Sequence, residues 1–353
     1  MTASAILRHP ASAFAAASLT PPILMVAGAL AGGLWPLAGL LSMTLVLFLG
    51  DQIGRHFGAQ QAPTAHDVWT ERLALAIGGL HFLFLPFAIF ALSGGLTLGL
   101  SGWFLTFFSF GLWFGQVANS TAHELIHRSP HLPYRLGMAV YTSLLYGHHT
   151  SAHRLVHHRF VATPDDPNSA ALGEGFYSFA ARAWPGEFQA GYEMENALRI
   201  GRDSGGISLH PYTIYLAGGA LVLVLCATFF GFAGLLAYLA LCAHAHLQLL
   251  LSDYVQHYGL ERKRIGMDEY EPFGPQHSWD APDLLSGLMM LHAPRHADHH
   301  RNPARPYPEL ILSPEGRAPL LPASLPVMST IALVPHLWHR IMDRRLRALR
   351  RNA

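Results

Sequence analysis

The chain has 353 residues, of which 51% are hydrophobic and only 13% charged, with a formal net charge of +1. So little solvating charge excludes a soluble multidomain chain, a disordered one or a coiled coil, and the near-neutral balance excludes nucleic-acid binding through an overall positive field. Histidine is the exception: there are 23, as many as Lys and Arg together, whereas the two cysteines, Cys226 and Cys242, are too few for a disulfide framework, a zinc knuckle or a rubredoxin-type iron site.

The apolar residues are gathered into long runs. In chain order they cover 20–35 and 36–50, split by Gly-Gly-Leu-Trp-Pro, then 73–92 and 96–122, divided at Ser93-Gly94-Gly95, then 212–230 and 232–251, divided at Gly231. A membrane helix needs about 20 mostly apolar residues. The runs therefore predict an all-α integral membrane protein with six transmembrane helices, at about 18–34, 36–53, 72–93, 96–122, 211–230 and 232–253. No Lys or Arg occurs between Arg8 and Arg55, between Arg72 and Arg128, or between Arg202 and Arg262. All three hairpin tips are uncharged, and the positive-inside rule puts both termini in the cytoplasm. The first run lacks a clear cleavage site and is expected to be retained as a span.

The remaining blocks, 123–210 and 257–353, are expected to form a cytoplasmic helical cap within one domain covering 1–353. Asp165-Asp166-Pro167-Asn168 and Ala304-Arg305-Pro306-Tyr307-Pro308 are turn-like, and the arginine-rich tail 340–351 suits a helix on anionic headgroups.

Three histidine clusters fall in or beside this cap: His123 and His127; His153, His157 and His158; and His296, His299 and His300. Helical positions i and i+3 or i+4 share a face, so each cluster can aim at least two imidazoles at one point. Neutral imidazole is a good ligand for iron, zinc or copper. Eight imidazoles exceed the four to six ligands of one first-row ion, which points to two ions, but ligand type alone does not separate zinc from iron. His123-Glu124-x-x-His127 is formally the zinc-protease motif, with Glu124 as general base, yet that reading leaves two clusters unexplained. Paired-histidine haem ligation would place the histidines inside facing helices rather than at one membrane face.

Glu124, Asp253 and Asp298 sit beside these histidines or at span ends and are candidates to accept ligand imidazole N–H groups. His148 and His292 are further candidates for support, whereas His149, His244, His246 and His277 are expected to be structural. The aromatics from Trp103 to Phe114 could line a substrate path, and Asn119 and Ser120 lie one turn before His123. No catalytic residue beyond the metal ligands stands out.

The pattern HxxxH, HxxxHH, HxxHH resembles that of the integral-membrane di-iron desaturases and hydroxylases. Ser252-Asp253-Tyr254-Val255-Gln256-His257-Tyr258-Gly259-Leu260 is similar to the extra motif of the alkane monooxygenase family, as are the stretches 162–170 and 295–303. The resemblance runs from the fourth span to Tyr307. It implies a ninth ligand, His257, and the set His123, His127, His153, His157, His158, His257, His296, His299 and His300 around a di-iron centre of two iron ions. It further implies O₂-dependent hydroxylation of the terminal carbon of an alkane drawn from the membrane lipid, in a bacterial inner membrane. A related hydroxylase or desaturase acting on alkyl aromatics or fatty acyl chains is the alternative. Electrons would come from rubredoxin with its rubredoxin reductase, since the chain has neither Gly-x-Gly-x-x-Gly nor Cys-x-x-Cys. Ala152, Arg154, Val156, Asp253, Gln256 and the Leu291-His292-Ala293-Pro294 run depart from the family's usual residues, which bears on ligand support and on substrate.

Overall fold

The structure is a computed structural model describing residues 9–58, 62–200, 209–267, 269–313 and 317–352. Arg8 and Arg202, which bound two of the charge-free stretches, lie outside the described residues. Among the described residues the elements are helices, with only isolated bridges at Arg264–Tyr270 and Asp280–Leu320.

Four helices are long and apolar enough to cross a membrane: Pro10–Ala31, Pro36–His56, Val68–Gly95 and Pro211–His257. The difference from the expected six has two physical causes. From Gly99 to Ile126 the helical backbone runs on without a gap, but a π-turn, Phe114–Ala118, divides it into the shorter helices Gly99–Trp113 and Asn119–Ile126. The last two expected spans fall within the single 47-residue helix Pro211–His257. At 1.5 Å per residue that helix would be about 70 Å long, more than twice the hydrocarbon core.

Gly231 resolves the excess length. Its φ of 64° and ψ of −165° break the helix in a region open essentially to glycine alone. Both ends return to the same end of the molecule: the Tyr215 hydroxyl lies 2.8 Å from Ser151 Oγ in the cap, and His257 sits among the other histidines. The arms 211–230 and 232–257 therefore run antiparallel. At the far end, Gly32 lies against the Thr97 carbonyl, so the first two chain reversals adjoin.

Two hydrophobic cores follow from this layout. One lies between the long helices, around Phe14, Phe110, Trp113, Phe114 and Tyr238, and the other fills the cap around Phe176, Tyr254, Trp279 and Trp338. The C-terminal helix Pro335–Asn352 buries Trp338, Met342 and Leu346 in the cap core at i, i+4 and i+8, while Arg344, Arg345 and Arg347 stay exposed.

A buried ion cluster clamps the two layers together. Asp51, on the second long helix, accepts the Leu285 and Ser286 amides at 2.8 and 2.9 Å, and Arg55, one turn later, pairs with Asp283. These amides begin the short helix Leu284–Met289, which leads into the third histidine cluster.

Because a Cβ at residue 231 meets nothing within 4 Å, its cost is conformational alone. Gly231→Ala should lower stability by about 1–3 kcal/mol. The thermal inactivation midpoint in detergent should fall accordingly; an unchanged midpoint would contradict the break.

Candidate metal centre

Each histidine cluster is presented by a different local device. His123 and His127 lie one turn apart at the end of helix Asn119–Ile126. His296, His299 and His300 share the short helix His296–Arg301. Between them, His153–His157 is a π-turn followed directly by His158. A π-turn aligns i with i+5, not i+4. His153 and His158 consequently face one another, Nε2 to Nε2, at 3.0 Å, and His157 points elsewhere.

The nine histidines form two groups. His123, His127, His153, His158 and His299 make one, and His157, His257, His296 and His300 the other; in each, one ligating atom per residue lies within 4.8 Å of all the rest. Every cluster that contributes three histidines is thus split between the groups. The groups adjoin, with the His158 and His300 rings 4.5 Å apart.

The donor set fits metal ions better than it fits itself. His158 Nε2 faces His153 Nε2 at 3.0 Å and His299 Nε2 at 3.1 Å, and His296 Nε2 faces His257 at 3.1 Å and His300 at 3.0 Å. An imidazole nitrogen has one in-plane site, either a lone pair or an N–H, so it cannot hydrogen-bond two neighbours in different directions. Two nitrogens each about 2.1 Å from one ion, at right angles, lie about 3.0 Å apart. The Nε2 atoms of His123, His127 and His157 are buried with no hydrogen-bond partner. A cation at each convergence point would satisfy all of these atoms at once.

Burial also holds these imidazoles in the ligating form. In the cap, His153, His158, His296, His299 and His300 have their pKa values pushed well below the ordinary range by desolvation, then by one another. His157 is the exception. Burial lowers its pKa, but the Asp166 carboxylate, 2.8 Å from Nδ1, outweighs this and raises it to about 9. A carboxylate that favours positive charge on His157 would equally favour a cation bound at its Nε2.

The three carboxylates singled out in sequence have other partners. Glu124 pairs with Arg128 at 2.6 Å and accepts the Tyr307 amide at 3.3 Å. Asp298 holds Arg305, Asn302 and the Ile311 amide. Asp253 accepts Asn168 Nδ2 at 2.7 Å. Of the supporting histidines, His292 bonds the Tyr307 carbonyl at 3.1 Å, and the His148 ring packs on Tyr146 and Phe188.

Residues that sequence reasoning passed over do more of the bracing. Asp166, in the turn after the second cluster, is itself held by Ser169 Oγ at 2.7 Å and the Asn168 amide at 3.1 Å. Glu187, on helix Phe176–Ile200, takes His149 Nδ1 at 2.5 Å, the Tyr146 hydroxyl at 2.8 Å and Asn168 Nδ2 at 3.1 Å. Asp280 accepts the Ala297 amide at 2.8 Å and so steadies the start of helix His296–Arg301; burial raises its pKa to about 7 despite that bond. The Asp-Asp-Pro-Asn turn was visible in sequence, but its contact with His157 was not. Glu187 and Asp280 carry no local signal. Asp166→Ala should weaken metal retention by about 10–100-fold in a chelator titration; unchanged retention would remove Asp166 from the support of His157.

The fatty acid desaturase family model matches residues 98–330, which include all nine histidines. An alkane 1-monooxygenase of Pseudomonas aeruginosa is 34% identical over 254 residues, covering 71% of this chain and 66% of that protein. One from Alcanivorax borkumensis is 30% identical over 292 residues, covering 82% and 75%. The hydroxylase component of a xylene/toluene monooxygenase from Pseudomonas putida is 26% identical over 334 residues, covering 88% and 82%. The chain spans about two thirds of the length of the first of these relatives. On this evidence the chain belongs to the fatty acid desaturase family and, within it, to the alkane monooxygenases.

Proposed function

We propose that the protein is an integral-membrane monooxygenase that holds two irons in its two histidine groups and hydroxylates the terminal carbon of an alkane to a 1-alkanol. The observation that carries this reading is the convergence of nine imidazoles, without a single carboxylate, on two adjoining points. The kinship with alkane 1-monooxygenases supports the choice of iron over zinc. The HExxH reading leaves two histidine clusters unexplained, and Glu124 Oε1 is engaged by Arg128 and the Tyr307 amide.

In this reading the chain crosses the bacterial inner membrane six times, the helical run through Gly99–Trp113 and the two arms about Gly231 completing the count, with cap and termini in the cytoplasm. The balanced reaction takes the alkane, O₂, two electrons and two protons to the alkanol and water. Bound iron supplies the oxygen activation that C–H hydroxylation needs. The chain supplies the rest: burial favours the neutral form of the cap histidines other than His157, Asp166 orients His157, and the cap covers the cage, with Phe273 packed 5.1 Å from the His300 ring. Both cysteines are buried in the long helix Pro211–His257 and offer no electron store, so electrons come from a separate donor, for which rubredoxin is proposed, docking on the exposed arginines of the cap.

A second reading, hydroxylation of alkyl aromatics, is favoured by the match to the xylene/toluene enzyme, which covers 88% of the chain. Cells expressing the protein with a rubredoxin and its reductase should be fed an alkane series, xylenes and fatty acids, and their products separated by gas chromatography. 1-Alkanols are the expected products. Benzylic alcohols without 1-alkanols would establish the second reading, and absence of both would contradict the proposal.

A further inference from the structure

The seam between the helical run 99–126 and the arm 232–257 is unusual for the interior of a membrane protein. On the arm, His244, Gln248, Ser252 and Gln256 fall at i, i+4, i+8 and i+12, a polar face on a largely apolar helix that ends at His257. On the facing helix, Gln116 and Asn119 precede His123 by about two turns and one turn. Gly111 and Gly115 let the two helices meet: a Cβ on Gly115 would lie 2.4 Å from Gln248 Cβ, and one on Gly111 would lie 2.8 Å from the His244 ring. Across this contact Gln116 Nε2 donates to Gln248 Oε1 at 3.2 Å.

A bond that merely ties two helices together would leave a sealed contact. This seam keeps accessible surface. Gln116 and His123 on one side and His244, Gln248 and Ser252 on the other are partly accessible, while Gly115, Val117, Ala118, Ala122, Ala245 and Leu249 beside them are buried. Gln116 Oε1 is buried without a hydrogen-bond partner. Polar groups at this depth are costly and mark functional sites more often than packing. At the lower end the His244 ring meets Phe107 and Phe108 edge-on at 5.8 and 6.0 Å, and Phe108 is exposed on the outer, lipid-facing surface. At the upper end stand His123 and His257.

We propose that this seam admits the substrate from the bilayer to the histidine cage, and that Gln116 and Gln248 hold a hydroxyl or carbonyl group at the far end of an otherwise apolar substrate. The inference rests on the monooxygenase reading and adds to its alkane substrates, as preferred ones, apolar chains bearing one hydrogen-bonding group. The amide pair uses one donor and one acceptor on itself and has others to spare, which a hydroxyl, both donor and acceptor, can engage. A plain alkane leaves them unpaired. Seven residues of helix separate Gln116 from His123, a rise of about 10 Å, which matches the span of a medium-length carbon chain between its polar end and the carbon to be attacked.

The test is competition between two substrates of equal heavy-atom count, 1-octanol and n-nonane, with iron-loaded protein in nanodiscs and its electron donor. The products, 1,8-octanediol and 1-nonanol, differ in mass. Wild-type protein should show the higher kcat/KM for 1-octanol. Gln116→Leu and Gln248→Leu should each lower the ratio of the two kcat/KM values by about tenfold, the scale of one lost hydrogen bond. Iron content, measured alongside, reports folding, and Gln248→Met replaces either variant that fails to hold iron. Equal turnover of both substrates by wild type, or an unchanged ratio in iron-loaded variants, would overturn the proposal. Iron-loaded wild type that oxidises neither substrate would instead overturn the function on which it rests.

Discussion

Everything in this fold answers to one electrostatic problem: nine imidazoles gathered in two groups whose ring nitrogens lie within 4.8 Å of one another, four pairs of them at 3.0–3.1 Å. Such nitrogens cannot satisfy one another pairwise, and leaving buried polar atoms unpaired costs about 1–3 kcal/mol each. A cation at each convergence point would satisfy these nitrogens together. In the proposed reading, metal binding would be coupled to cap folding, since the histidines come from four separate chain segments.

The rest of the molecule bears on that point. The helical run 99–126 and the arm 232–257 deliver His123, His127 and His257 from the apolar layer, and the cap helices bring the other six. Asp166, Glu187 and Asp280 form a buried acidic collar. One fixes a ring, one ties His149 and Tyr146 to the Asn168 turn, and one holds the start of helix His296–Arg301. The Asp51 and Arg55 clamp then fixes the cap to the second long helix. The proposed seam at Gln116 and Gln248 borders the same cage, so the polar face of one helix would serve both substrate access and the metal site.

Much of this was legible in the amino-acid order because the signals are local. Uninterrupted apolar runs, their uncharged tips and the histidine spacings each need only a short window of sequence. The partition of the ligands was not legible. Ordinary helical periodicity pairs His153 with His157, and only the π-turn pairs His153 with His158 instead. The long helix Pro211–His257 shows the converse, since Gly231 announced the chain reversal that its backbone makes. The bracing carboxylates were missed for another reason. Glu124, Asp253 and Asp298 are neighbours of the histidines along the chain, whereas Glu187 and Asp280 become neighbours only through the packing of the cap.

The most direct measurement is elemental analysis of the purified protein, joined to X-ray absorption at the metal edge. Two irons per chain with a shell of nitrogen donors at imidazole distances is the expected result. Two zincs, a single ion, or a shell requiring several protein carboxylates would contradict the assignment of nine histidines to two iron sites.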